Sequence, residues 1–327
     1  MTFVSLISLI VMKGFLLVTN VNRNIFQYFL LPIIYILLIL LYPKVSDTKH
    51  YYEALESGIY SAEIGYNFVQ EILKNFFSTD VTFYMILLIP LSVYLVLMRY
   101  SAIGTTYLLC SQLVVLLHMN GVRQGYAVVL LYLGLILILD RKLILGFFVL
   151  FCSGLFHMSG YLVGLIILVT YIFGIFDFNR LVSYLIIGLT VVILVLSLSS
   201  ILIQIGTYTA YLEHKEQHTS RTSPLLKHSL LFVYFLFLEY KLRSFYSGFK
   251  LLFNIRFSLI VLAMSIYILL GLSEVSSRIF VYCFSLEAII LFAIIWRGHS
   301  IPLNTKLFWT FFQVANPSVL GLLRLSL

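Results

Sequence analysis

Two long apolar runs meet at Asn120-Gly121-Val122-Arg123-Gln124-Gly125, which places a single arginine between two glycines. A guanidinium offers a rigid planar fork of donors that grips phosphate or carboxylate oxygens two at a time. Flanking glycines allow backbone to approach a bound group closely, and the Gln124 amide adds a polar neighbour. The competing reading is an arginine that extends to lipid headgroups. A second polar island, Phe156-His157-Met158-Ser159-Gly160, sets a histidine at the end of another apolar run. Imidazole there can shuttle a proton or donate to an oxyanion, although a lone histidine at a helix end also serves simply as structure. Ser276-Ser277-Arg278-Ile279-Phe280 supplies a further arginine, with Glu274 four residues earlier, a spacing that suits a local ion bridge as well as a ligand site. Arg221 lies in a long polar segment and reads equally as ligand or as solvated charge. Ionisable groups at the rim of hydrocarbon, or within it, are functional candidates by default. Glu287, in the middle of an apolar run, and His118 belong with them.

Other chemistry is poorly represented. His214 and His218 stand one helical turn apart, as zinc ligands do, but Glu216 is not in the position that H-E-x-x-H requires, and no metal site is expected. There is no Walker-type glycine loop, G-x-S-x-G elbow or dinucleotide fingerprint. Cys110, Cys152 and Cys283 all sit in apolar runs, where a small buried hydrophobe is the simplest reading.

The elements that must position these groups follow from composition. Of the 327 residues 61% are hydrophobic and 10% charged, against about 25% charged in soluble domains. Continuous rather than alternating apolar runs leave helices as the only way to satisfy backbone in hydrocarbon. Candidate spans fall at residues 3–19, 26–43, 81–98, 103–119, 124–139, 143–156, 161–176, 181–205, 226–239, 251–271, 279–296 and 307–323. The expectation is an all-α, polytopic transmembrane bundle of about twelve spans, one integral membrane domain over 1–327 with no separate soluble domain. The first span contains Lys13 but no small-residue cleavage site and reads as a retained helix.

The excess of 21 Lys+Arg over 13 Asp+Glu, a net +8, is explained by topology without nucleic acid. Arg23, Arg99, Arg141, Lys142, Arg180, Lys241, Arg243, Lys250, Arg297 and Lys306 thread to one face, which is therefore cytoplasmic. The opposite face receives two long loops, 46–80 and 206–228, most of the carboxylates, and Arg123, His157 and Arg278. Within the first loop, residues 63–77 space Ile64, Phe68, Ile72 and Phe76 helically, which predicts an amphipathic helix that lies on the membrane interface or packs on the bundle.

Read in order, the motifs resemble the EpsG-like branch of the Wzy polysaccharide polymerases. The chain has Asp47 followed by Tyr51 and Tyr52, then Glu63-Ile64-Gly65-Tyr66-Asn67, then Arg123-Gln124, then Phe156-His157-Met158-Ser159, and a late Arg278 before an aromatic-rich helix. It departs from the family pattern at Ile64, where proline is more usual, at Thr48, where tyrosine is, and in the additional span at 3–19. The resemblance implies a glycosyltransferase that joins polyprenyl-diphosphate-linked repeat units into O antigen, capsule or exopolysaccharide at the extracytoplasmic face of the cytoplasmic membrane. It implies neither metal nor nucleotide. Arg123 and Arg278, with Arg221 as a third cation, would stabilise the leaving diphosphate. His157 would be the base, with Glu63 or Asp47 as second choices. Gln124, Tyr66, Tyr51 and Ser159 would line the substrate site. A chain-length regulator and a flippase are the implied protein partners, beside the bilayer and the lipid-linked glycan itself. The main rival is a flippase for the same lipid-linked glycan, which would place charge through the depth of the membrane. A membrane acyltransferase with His157 as base, and a structural assembly subunit, complete the alternatives.

Overall fold

The computed structural model describes residues 33, 36, 47–58, 63–90, 121–176, 178–205, 228–230, 232–234, 236–237, 240, 249–273, 275–283 and 286. In chain order these form α1 (Asp47–Ser57), α2 (Ile64–Phe76), α3 (Thr79–Pro90), α4 (Val122–Leu139), α5 (Leu143–Phe156), α6 (Met158–Gly174), α7 (Arg180–Ile205) and α8 (Lys250–Leu270). Residues 275–283 are also helical. Among the described residues α4, α8 and the Arg180–Ser197 part of α7 are long and apolar enough to cross a bilayer, and α3, α5 and α6 are shorter apolar helices. Five predicted spans, those from 124–139 through 181–205 and 251–271, match α4 to α8 to within three residues at either end. The remaining predicted spans lie wholly or partly outside the described residues, as does nearly all of 206–228.

The chain divides into two compact units, Met1–Tyr161 with Leu291–Leu327, and Leu162–Ile290. In the first, α4 and α5 form a hairpin closed by Asp140-Arg141-Lys142. Arg141 takes a left-handed backbone at φ 63°, which lets Lys142 N–H donate to the Leu137 carbonyl at 2.9 Å and caps α4. Further along the hairpin the two backbones touch: a Cβ on Gly134 would lie 2.9 Å from the Gly146 carbonyl oxygen, and one on Gly146 would lie 2.9 Å from that of Gly134. Glycine at both positions is what permits this approach. On α5, Gly146, Leu150 and Ser153 are buried while Ile144, Phe148 and Phe151 point away from the protein. Large apolar side chains on that side are solvated by hydrocarbon, so their exposure is free of penalty in a membrane helix.

Residues 47–57, read from sequence as loop, are the helix α1. Their polarity hides a short buried edge in which Leu55 is buried, the Tyr52 hydroxyl donates to Asp80 Oδ1 at 2.8 Å, and the Tyr52 ring meets Phe83 edge-on at 5.3 Å. The hydrogen bond to Asp80, before all other influences, pushes the Tyr52 phenol above its ordinary range. The predicted amphipathic helix is α2; Tyr66 and Gln70 are buried against the protein, whereas Glu71 and Asn75 are exposed together with Ile64, Phe68, Ile72 and Phe76.

In the second unit α7 lies along α8, with Tyr184 stacked on Phe257 at 4.1 Å and Lys250 Nζ donating to the Phe178 carbonyl at 3.0 Å. Leu181, Leu185, Leu189 and Ile193 form a continuous exposed stripe on α7, the pattern of a lipid-facing helix. Thr170 on α6 and Ser258 on α8 share a hydrogen bond at 2.7 Å. Gly271, at φ 68°, ends α8 in the left-handed conformation that glycine adopts without strain.

Candidate functional site

Arg123 is the second residue of α4, so its side chain leaves the open end of that helix rather than its middle. Glu63 caps the start of α2 with extended backbone, and its carboxylate Oε2 pairs with Arg123 Nη1 across 60 residues of sequence. Arg123 Nε–H donates to the Tyr51 hydroxyl of α1 at 3.4 Å, and the guanidinium carbon stands 5.6 Å from the centre of the same ring. Three helices thus hold one guanidinium by an ion pair, a hydrogen bond and a cation–π contact. The carboxylate is the more enclosed member, with 10% of the Glu63 side chain exposed against 31% of Arg123. A ligand can reach the cation while its orienting partner stays covered.

Aromatic packing fixes the surroundings. Tyr51 meets Tyr66 edge-on at 6.0 Å, Tyr66 meets Tyr126 at 6.4 Å, and Tyr126 stacks on Phe156 at 5.0 Å with the planes 4° apart. The run therefore joins α1, α2, α4 and α5 by contacts of ordinary aromatic geometry. The Tyr126 hydroxyl donates to the Ile86 carbonyl of α3 at 2.6 Å, which ties in a fifth helix. Burial first, and the neighbouring Tyr51 second, push the Tyr66 phenol well above its ordinary range against the opposing charge of Arg123.

Gly65 explains how α2 comes close enough. A Cβ there would lie 2.9 Å from Leu155 Cβ and 3.0 Å from the Leu155 carbonyl oxygen, so only glycine lets α2 rest on the end of α5 with Glu63 in reach of Arg123.

His157 directly follows Phe156 and ends α5 with extended backbone. Its imidazole turns toward the first turn of α6: Ser159 N–H donates to Nδ1 at 3.3 Å and Ser159 Oγ stands 2.6 Å from the same nitrogen. A backbone amide can only donate, so Nδ1 is an acceptor, the neutral ring carries its proton on Nε2, and the Ser159 hydroxyl donates as well. Both side chains are buried. Gly160 makes the corner possible, since a Cβ on it would lie 2.8 Å from the Ser153 carbonyl.

Of the ten residues singled out from sequence, the structure joins Arg123, Glu63, Tyr51 and Tyr66 by direct contact, and His157 with Ser159 by hydrogen bond at the adjoining end of α5. Gln124 is buried one residue beyond Arg123. Asp47 opens α1. Arg278 is half-buried on the helical stretch 275–283 of the second unit. Arg221, like His118, His214, His218 and Glu287, lies outside the described residues. Among the described residues no cluster of His, Cys, Asp and Glu could hold a metal ion.

Sequence reasoning passed over two groups. Arg256 is wholly buried within α8, its guanidinium carbon 5.0 Å from the centre of the Phe253 ring. An arginine inside a predicted span was itself the signal. His228 is buried and stacked on Tyr267 at 4.3 Å, a contact that no local pattern announces.

Fold and site together define a multi-pass helical membrane protein that presents an oriented guanidinium and a buried histidine–serine pair at one end of a helical unit. The chain belongs to the EpsG family, whose model matches residues 24–315, most of its length. No curated protein and no solved structure gives a match.

Proposed function

We propose that this protein joins polyprenyl-diphosphate-linked glycan repeat units into a surface polysaccharide, acting at the extracytoplasmic face of the cytoplasmic membrane. The observation that carries the proposal is the meeting of Arg123, Glu63 and Tyr51, each from a different family-like motif, beside His157 and Ser159 in a chain of the EpsG family.

The chemistry follows from the parts. An acceptor hydroxyl of one lipid-linked unit attacks the anomeric carbon of another, and the bond from that carbon to the diphosphate oxygen breaks. The electron pair leaves on the lipid diphosphate, where a fixed guanidinium stabilises the growing charge. Glu63 cancels much of the Arg123 charge at long range, so the pair contributes orientation more than attraction. Arg278 and Arg221 are the further cations of this reading. Ser159 Oγ takes the acceptor proton as its own passes to His157 Nδ1, the nitrogen that already accepts it, and the imidazolium later returns the proton to water. Tyr66 and Gln124 are the substrate-binding residues of this reading, and Asp47, like Glu63, is a second-choice base. The energy resides in the lipid diphosphate, and a chain-length regulator and a flippase would act beside the enzyme.

The second reading is a flippase for lipid-linked glycan, which Arg256 favours as a charge wholly buried within a span. Deleting the gene and running surface glycan on a gel separates the two. Collapse of the ladder to single repeat units supports polymerisation, whereas loss of all surface glycan with lipid-linked units trapped inside supports the flippase. In the complemented strain Arg123→Ala should abolish the ladder at unchanged membrane abundance, and a normal ladder would refute the role given to Arg123.

A further inference from the structure

Helix α2 carries its apolar stripe on the side away from the protein. Ile64, Phe68, Ile72 and Phe76 are 74%, 62%, 41% and 77% exposed, while Tyr66 and Gln70 on the opposite side are buried. In water that arrangement would leave four large apolar side chains unsolvated along a helix of 13 residues. Something apolar covers them. Two connections on the structure say what it is. Gly65 rests on Leu155, the residue at which the exposed face of α5, carrying Ile144, Phe148 and Phe151, arrives at its end. That face belongs to a short apolar helix of a membrane protein, and lipid is the solvent that large apolar side chains on such a face require. At its other end α2 passes through only Phe77 and Ser78 into α3, again an apolar helix. The stripe of α2 is thus continuous with that apolar face on one side and anchored to an apolar helix on the other. Glu71, exposed at the edge of the stripe, and Lys74 in the last turn are placed as headgroup-level charges on an interfacial helix are.

We infer that α2 is seated in the membrane interface with bilayer lipid on its Ile64–Phe68–Ile72–Phe76 stripe, and that this seating sets the Arg123 guanidinium at the depth of lipid phosphates. Glu63 caps α2 and pairs with Arg123, so the depth of the helix is transmitted to the cation within one ion pair. A helix of this kind sinks its apolar side roughly 5–10 Å into the boundary between headgroups and acyl chains. A diphosphate on a membrane-embedded lipid then meets the guanidinium without leaving the leaflet. The depth assignment rests on the lipid-diphosphate reading, while the seating of the stripe does not.

Spin labels test both parts in the full-length protein reconstituted into phosphatidylethanolamine–phosphatidylglycerol vesicles. With Cys110, Cys152 and Cys283 replaced by alanine, single labels at Phe68→Cys, Ile72→Cys and Glu71→Cys are compared with Phe151→Cys, which reports the lipid-facing side of α5. Collision with oxygen should exceed collision with an aqueous nickel chelate at 68 and 72, less strongly than at 151, and the order should reverse at 71. Chelate access dominating at 68 and 72 would mean water on the stripe, and access to neither quencher would mean protein on it. Either result overturns the inference. A lipid signature at 68 as deep as that at 151 overturns the depth assignment. The ladder assay on Arg123→Ala reads the polymerase proposal separately, so failure of one is not mistaken for failure of the other.

Discussion

Replacing Gly65 with alanine adds one methyl group at the point where α2 rests on α5. That carbon would stand 3.0 Å from the Leu155 carbonyl oxygen and 2.9 Å from Leu155 Cβ, the latter about 0.6 Å or more inside ordinary carbon contact. Neither atom is the far end of a flexible side chain, so the helices themselves must part. Overpacking of this kind costs about 1–3 kcal/mol. The alanine gains roughly 1 kcal/mol of helix propensity over glycine in return, which leaves a net loss of about 0–2 kcal/mol. The functional loss is larger, because Glu63 moves with α2. A displacement on the order of 1 Å at a positioned group costs about 10²-fold in rate. Gly65→Ala should therefore sharply shorten the polysaccharide ladder in a complemented deletion strain while membrane abundance by immunoblot stays near normal. Gly188→Ala is the matched control, since its Cβ would meet only Phe257 Cε1 at 3.7 Å, an ordinary contact, and it should leave the ladder unchanged. A full-length ladder from Gly65→Ala would refute the claim that close approach of α2 to α5 sets the guanidinium.

The ion pair, the Tyr51 hydroxyl and the histidine–serine pair give four further tests. Glu63→Gln leaves Arg123 without its counter-charge; with the pair intermediate between exposed and buried, the expected loss in thermal stability of the detergent-solubilised protein is about 2 kcal/mol. The double variant Glu63→Met with Arg123→Met should recover part of that stability yet make no ladder, and a ladder from it would remove the guanidinium from the mechanism. Tyr51→Phe keeps the ring beneath the cation but deletes the acceptor of a 3.4 Å hydrogen bond, which predicts a loss of about 0.5–1 kcal/mol, or two- to fivefold in polymerisation rate with purified lipid-linked substrate. Ser159→Ala preserves the backbone donor to His157 and removes only the hydroxyl, so a relay through Oγ predicts a fall of at least about 10²-fold in rate, partly restored by Ser159→Thr, whereas an unchanged rate would assign the proton elsewhere.

Helices α4 to α8 were legible in the sequence because each is a long apolar run bounded by charge or glycine, and hydrocarbon allows such a run little else. Helix α1 was not, because its 11 residues are polar and the edge it buries is little more than Tyr51, Tyr52 and Leu55, too few to set a period. The periodicity of α2 was readable; which side faced the protein was not, since an apolar stripe points inward in water and outward in lipid. At the site, the order of motifs brought Arg123, Glu63, Tyr51 and Tyr66 into one list, and the fold shows that a guanidinium is what they share. The tautomer of His157 was beyond reach of any pattern, because it depends on where one backbone N–H points. Arg256 is legible as a charge within an apolar run, but its complete burial depends on packing that the run does not encode.

The touching backbones at Gly134 and Gly146 have a consequence for how such a protein can change over time. Where main chain meets main chain, the spacing of two helices is fixed by atoms that every amino acid possesses, and no bulky group sets the gauge. Ile144, Phe148 and Phe151 on the far side of α5 can then drift among apolar types, following whatever lipids the host makes, while Arg123 at one end of α4 and His157 at the end of α5 keep their separation. Sequence freedom and geometric constancy coexist in one hairpin because they are carried by different atoms.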